Sequence, residues 1–208
     1  MDAVFRVVAA LVGAFLLGSV PFAVLVSRIF FKRDIREFGS GNPGATNVLR
    51  TFGPVAGGAT FVLDILKGAA AVYLATLLAP AVWSADGRDW LMIAAAMAAI
   101  AGHSFSPFIG FKGGKGVATA AGAIGMLMPV AFWVLFLMFV VILLITRMVS
   151  LGSITIAIEF PVLCVLLYGD RTPMLLFGLL GGGLVVWRHH ANLKRIFRGE
   201  EHRIGSAT

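Results

Sequence analysis

Two glycine-laced polar tracts hold the residues whose types and spacing suit them to gripping phosphate: FGSGNPGATNVLR (Phe38 to Arg50) and GHSFSPFIGFKGGKGVAT (Gly102 to Thr119). Within the first, Gly39-Ser40-Gly41-Asn42-Pro43-Gly44 has the form G-x-G-x-x-G. That pattern signals dinucleotide binding only inside a βαβ unit, and no preceding strand is legible here. The chemistry does not need that fold. Asn42 is expected as an N-cap, with Pro43 at the first position of a short helix through Ala45, Thr46, Asn47 and Val48 towards Arg50. Such a helix start offers unpaired N–H groups and the positive end of a dipole to an anion. Gly41 lets backbone approach a ligand, and Ser40, Thr46 and Asn47 supply side-chain hydrogen bonds. Arg50 can clamp a phosphate with two parallel hydrogen bonds. A plain capped turn would account for Asn42-Pro43 but not for so many polar residues around the glycines.

The second tract contains Lys112-Gly113-Gly114-Lys115-Gly116. It is not a nucleotide P-loop, because Gly116 stands where Ser or Thr must follow the lysine. What remains is a glycine loop that opens a helix and carries two ammonium groups. Lys115, flanked by glycine on both sides, is the better ligand; Lys112 follows aromatic residues and suits a phosphate or an interface anchor equally. His103, beside Ser104, reads as structural more than chemical. Near the C-terminus His189 and Asn192 stand three apart, so they share a face if the helix continues. An imidazole titrating near neutrality suits proton transfer. Ser150 and Ser153 bracket the expected start of another helix, where Ser153 could cap it or donate to phosphate.

The elements that must position these residues are membrane helices. Of the 208 residues 59% are apolar and 13% charged, far too oily for a soluble domain. Apolar stretches lie near 3–27, 54–80, 90–110, 117–146, 153–168 and 172–188. The net charge of +7 could suggest nucleic acid, but in a membrane chain it reads as a cytoplasmic face and phosphate partners. Lys and Arg place the 28–53 loop, the 110–116 loop, the 147–152 loop and the tail inside. The 117–146 run therefore begins and ends inside, and at ~1.5 Å per residue it is too long for one crossing. Gly125 and Pro129 offer the bend of a hairpin, with a short helix near 117–127 and a fuller one near 129–146. The expectation is an all-α integral membrane protein, one domain over residues 1–208, with seven transmembrane helices. The N-terminus lies outside and the C-terminus in the cytoplasm. The apolar start continues without a polar cleavage region, so it reads as a retained helix. The single cysteine, Cys164, excludes a disulfide within the chain and a cysteine metal site. Asp64 and Lys67, at i and i+3, are expected to pair internally, because isolated charge in lipid is costly. Glu159 should face the bundle and has no assigned role; Lys194, Arg195 and Arg198 read as a membrane-surface tail.

On GSGNPGATNVLR, LDILKGAAAV, GHSFSPF-x-x-FKGGKGVAT, SLGSI and the tail H-x-x-N, the chain resembles the bacterial acyl-phosphate:glycerol-3-phosphate acyltransferase family (PlsY type) over nearly its whole length. The resemblance implies a seven-helix inner-membrane enzyme with its site on the cytoplasmic side. Such an enzyme moves a fatty acyl group from acyl phosphate to the 1-hydroxyl of glycerol 3-phosphate, giving lysophosphatidic acid and phosphate. It implies substrate-binding and catalytic roles for Ser40, Arg50, Lys115, Ser153, His189 and Asn192. The expected catalytic set is His189, Asn192, Ser153 and Lys115. The expected phosphate-binding set is Ser40, Gly41, Asn42, Gly44, Thr46, Asn47, Arg50, Lys112, Gly113 and Gly114. The tail departs from a common family form in which Arg follows the histidine; here His190 stands there, so His189 and His190 are both candidates.

The residues agree with that chemistry. Both substrates carry phosphate, and the acyl chain requires access from lipid. The mixed anhydride is already activated, so no metal, cofactor or covalent nucleophile is demanded. The protein must hold both phosphates, align hydroxyl and carbonyl, and stabilise the oxyanion. Arg50 with Ser40 is expected on one phosphate and Lys115 with Ser153 on the other, with His189 or a substrate phosphate oxygen taking the proton. No obligate protein partner is evident. The H-x-x-x-x-D motif of thioester-dependent acyltransferases is absent. A carrier of organic phosphates would need polar residues near the midplane and often an internal repeat, and a scaffold would leave both tracts unexplained.

Overall fold

The computed structural model describes residues 2–205, and among them it holds ten α-helices, two short 3-10 turns and no strand. The chain divides into two compact units, Met1–Leu127 and Met128–Thr208.

The first unit contains α1 (Ala3–Ser19), α2 (Phe22–Phe31), α3 (Ala45–Phe52), α4 (Pro54–Leu78), α5 (Ala85–Ser104) and α6 (Val117–Leu127). The expected first span is broken: α1 and α2 meet at Val20-Pro21 with a bend of 40°. Proline has no N–H to continue the ladder, so carbonyls are released inside apolar surroundings and need donors. Lys67 Nζ donates to the Val20 carbonyl at 2.8 Å, and the Ser106 hydroxyl to the Ser19 carbonyl at 2.6 Å. Lys67 also pairs with Asp64 at 2.8 Å, as expected of two charges buried in one apolar helix. α5 begins earlier than hydropathy suggests. The Ser84 hydroxyl accepts from Gly87 N at 3.2 Å and caps a first turn containing Asp86, so Asp86, Arg88 and Asp89 lie in the helix rather than in a loop.

Small residues let these helices touch. Ala10, Ala14, Ala71, Ala75, Ala95 and Ala99 share one buried cluster with Leu91. Gly68 lies against the Thr119 backbone and Gly122 against that of Ile65, which joins α4 and α6 closely enough to exclude any Cβ at either glycine. α6 has 11 residues and reaches only about 16 Å, short of a bilayer core.

The second unit contains α7 (Pro129–Thr146), α8 (Val149–Tyr168), α9 (Thr172–Arg188) and α10 (His190–Phe197). The long apolar run thus divides at Met128, where the bend was expected. Pro161 inside α8 leaves the Ala157 carbonyl without its helical donor, and Gly182 of α9 packs against that carbonyl. Phe160 and Phe177 meet edge to face at 5.3 Å in the same contact. Among the described residues four helices are long and apolar enough to cross a membrane, or five with the bent pair α1–α2 as one span; α6 and α9 are shorter apolar helices.

Candidate active site

In the first unit, the GSGNPG tract is a folded knot rather than a loose loop. The Asn47 side chain ties it. Its Nδ2 donates to the carbonyls of Ile35 (3.2 Å) and Phe38 (2.9 Å), and its Oδ1 accepts from Ser40 N at 3.1 Å. Asn47 is buried, so its side chain holds the tract's shape, whereas a hydrogen bond from it to substrate was expected. Gly39 and Gly41 take φ of 54° and 68°, the left-handed region where glycine costs least. A Cβ on Gly39 would also strike Asn47 Oδ1.

The expected cap is corrected. α3 starts at Ala45 with Gly44 as N-cap, and no side chain caps it; Asn42 and Pro43 precede the helix. The Asn42 carbonyl instead accepts from Gly44 N at 2.9 Å, a tight turn that places Gly44 in extended backbone. Ser40 and Arg50 are exposed, while Gly41, Gly44 and Thr46 are half-buried.

Two neighbouring cations, Arg28 and Arg36, share one carboxylate. Asp34 accepts from Arg28 at 2.7 Å and from Arg36 Nη2 at 2.7 Å, besides Arg36 N at 3.0 Å. The Arg36 guanidinium holds the Asp34 carboxyl far below the usual carboxylate range, against the opposing effect of burial.

The second tract leaves α5 through a 3-10 turn at Pro107–Ile109 and folds back on the helix end. Gly113 N donates to the Ser104 carbonyl at 3.2 Å and Gly114 N to the His103 carbonyl at 3.1 Å. Both glycines are buried, and a Cβ on Gly113 would meet the His103 carbonyl. Gly116, at φ 83°, then turns the chain into α6. Lys115 is half-buried; Lys112 is exposed, next to exposed Phe108 and Phe111, as an interface anchor would be. The two tracts are parts of one packed end of this unit, because Ile35 and Val48 share a buried cluster with Ile109.

In the second unit, His189 is the hinge between α9 and α10, and it is buried, whereas His190 is exposed. His189 Nδ1 lies 2.7 Å from the Val185 carbonyl, which can only accept, so the ring's proton belongs on Nδ1 and the neutral ring carries its lone pair on Nε2. The helix does not continue through His189, but Leu193 N donates to the His189 carbonyl at 2.9 Å and keeps Asn192 one turn away. Ser153 is not an N-cap. α8 begins at Val149, and the Ser153 hydroxyl donates back to the Val149 carbonyl at 2.9 Å.

Glu201 was not singled out in the sequence. It is buried, and its Oε1 accepts from Ser150 Oγ (2.9 Å) and Asn192 Nδ2 (2.8 Å), its Oε2 from Arg195 Nε (2.8 Å). Arg195 therefore serves this clasp rather than the membrane surface. Burial raises the Glu201 carboxyl, but the hydrogen bonds from Asn192, Ser150 and Arg195 together hold it below its ordinary value. The sole sequence signal was an acid within a strongly basic tail. Among the described residues no group of three or more His, Cys, Asp or Glu could hold a metal ion.

The family model described as glycerol-3-phosphate acyltransferase matches residues 8–199. The chain belongs to the glycerol-3-phosphate acyltransferase family. It is 41% identical over 195 residues to a glycerol-3-phosphate acyltransferase of Desulforamulus reducens, covering 94% of each chain. It is 44% identical over 193 residues to one from Gloeobacter violaceus, covering 92% of each. Among solved structures it is similar to PlsY, an integral membrane glycerol 3-phosphate acyltransferase, in its glycerol 3-phosphate form. The TM-score is 0.86 at 36% identity, covering 96% of both chains. The lysophosphatidic acid form of that protein gives a TM-score of 0.81. This member of the acyltransferase family is thus a multi-pass membrane enzyme, and its two glycine tracts and His189 lie within the matched residues.

Proposed function

We propose that this acyltransferase takes its acyl group from acyl phosphate and delivers it to the 1-hydroxyl of glycerol 3-phosphate, forming lysophosphatidic acid and inorganic phosphate. The observation that carries the reading is the joint packing of the two phosphate-suited tracts around Ile35, Val48 and Ile109. Two anionic head groups call for two such tracts, and each carries a cation, Arg50 or Lys115, together with a glycine turn held by hydrogen bonds of its own backbone.

The 1-hydroxyl oxygen attacks the acyl carbonyl carbon, and the carbon–oxygen bond to phosphate breaks. Inorganic phosphate leaves with the bonding pair. The hydroxyl proton passes to His189 Nε2, which the Nδ1 contact to Val185 keeps in the correct tautomer. Positioning by Ser40, Arg50 and Lys115 and electrostatic stabilisation of the oxyanion supply the rest of the catalysis. Ser153 and Asn192 complete the polar set, and Asn192 is held in place by Glu201.

The chain is read as one catalytic domain of seven transmembrane helices, N-terminus outside, in the bacterial inner membrane with its site on the cytoplasmic side. Four long spans, the bent α1–α2 pair and the shorter α6 and α9 support that count. Purified protein in lipid nanodiscs, given acyl phosphate and labelled glycerol 3-phosphate, is expected to make labelled lysophosphatidate. Product with acyl-CoA alone, or uptake of glycerol 3-phosphate into vesicles without product, would overturn the reading.

A further inference from the structure

A buried polar pair lies beneath the second glycine tract and has no part in the reaction as described. Asp64 is 2% exposed and His103 8% exposed, both on helices inside the first unit. The ammonium of Lys67 is satisfied by Asp64 and by the Val20 carbonyl, which fixes the carboxylate in turn. Asp64 Oδ1 lies 3.7 Å from His103 Nδ1. A carboxylate on that side favours the ring proton on Nδ1 and turns Nε2, as an acceptor, to the opposite edge.

That edge faces the loop. A Cβ on Gly114 would collide with His103 Nε2, and ring atoms Cε1 and Cδ2 would stand 3.0 and 3.2 Å from it. The imidazole therefore lies edge-on beneath Gly114, with no room for a methyl group between them. The backbone of the same residue holds the loop a second time, through Gly114 N to the His103 carbonyl at 3.1 Å, with Gly113 N on the Ser104 carbonyl at 3.2 Å beside it. Lys115 is the next residue along the chain.

We propose that Asp64 and His103 form a positioning brace. Asp64 orients the imidazole, the imidazole supports the glycine loop at Gly114, and the height of the loop sets where Lys115 meets a phosphate. The proposal rests on the reading of this tract as a phosphate site. It makes His103 a positioning residue whose loss weakens substrate binding more than turnover. It also accounts for a histidine buried beside the Asp64–Lys67 pair in an apolar bundle, where a polar ring without partners would be costly.

The test uses the full-length protein in nanodiscs with His103→Ala, His103→Gln and Asp64→Asn. Steady-state kinetics and hydrogen exchange of the 110–119 peptide are both recorded. His103→Ala is expected to raise KM for a phosphate substrate about tenfold while kcat stays within about threefold, the pattern of lost uniform binding. His103→Gln, whose carboxamide reaches the place of Nε2, recovers most of the loss. Asp64→Asn gives an intermediate KM. Loop amides in His103→Ala exchange about tenfold faster. An unchanged KM and unchanged loop protection in a folded His103→Ala protein would overturn the brace. A fall in kcat at constant KM would also overturn it, by moving the ring into the chemistry. If His103→Ala does not fold, Asp64→Asn decides: parent-like KM and protection refute the brace. Faster loop exchange in variants of a parent that fails to make lysophosphatidate would keep the brace and remove only the phosphate reading.

Discussion

Removing the Glu201 carboxylate should loosen the end of the second unit that carries Asn192. Three hydrogen bonds converge on that carboxylate, from Ser150, Asn192 and Arg195. The first two are buried, and a hydrogen bond to a charged group contributes about 1.5–3 kcal/mol. The Arg195 side chain is 35% exposed, so its ion pair adds only about 0–1 kcal/mol. Glu201→Ala strands two buried donors, so the expected loss is about 3–5 kcal/mol, the usual result of breaking a buried charged network. Glu201→Gln keeps one neutral acceptor for Ser150 and Asn192 and loses the Arg195 arm, for about half that loss. Thermal unfolding in detergent should fall by roughly 10 °C for Ala and about half as much for Gln. The pH dependence has a definite sign. A folded-state pKa held below its unfolded value contributes stability that is whole above the unfolded value. That stability is lost as pH falls through the folded one. The parent should therefore lose stability on acidification below about pH 4, and Glu201→Gln should lose less. Turnover should drop most in Glu201→Ala, where Asn192 loses its anchor, and less in Glu201→Gln, where the anchor is only weakened. Melting temperatures within two degrees of the parent for both, about half a kcal/mol at this size, would refute the clasp.

Other consequences are as direct. His189→Ala should lower turnover on the order of 100-fold, the ordinary contribution of a positioned base, while His190→Ala stays near the parent; nearly unchanged turnover in His189→Ala would leave the proton to a substrate phosphate oxygen. Gly113→Ala drives a methyl into the His103 carbonyl, a strain of about 1–3 kcal/mol, and should raise KM for phosphate substrates in the same initial-rate assay without unfolding the protein. Asp34→Asn should cost about 1–2 kcal/mol at neutral pH, because Arg28, one of its two arginine partners, is largely exposed. Since the Asp34 carboxyl is depressed by Arg36, that loss should shrink as pH drops below about 4, which melting curves across pH 3–7 would show.

The helices were legible where physics is one-dimensional. Hydropathy and length mark α4, α7 and the division at Met128, since proline and span length act locally. α5 was cut short because Asp86, Arg88 and Asp89 look like a loop; the Ser84 cap and the favourable helix dipole keep them helical. The bend at Val20-Pro21 was hidden, since its apolar residues read straight through, and the side chains that reach the broken turn, Lys67 and Ser106, come from 47 and 87 positions away. In the site, residue types pointed to the two tracts, but side-chain duties depend on distant partners. Asn47 looked like a ligand and ties the tract instead, because the carbonyls it binds belong to Ile35 and Phe38. Asn42 looked like a cap, yet the turn to Gly44 delays the helix. Glu201 escaped notice because it lies in the tail and its partners on α8 and α10, a meeting that no local spacing encodes.

The central claim is that two glycine tracts, acting through Arg50 in one and Lys115 in the other, hold the anionic head groups. Equilibrium binding of radiolabelled glycerol 3-phosphate to the purified parent, to Arg50→Ala and to Lys115→Ala tests it most directly. The account predicts saturable binding by the parent and a loss of at least about tenfold in one or both variants, each retaining the parent's melting temperature. Binding of parental strength in both folded variants would contradict it.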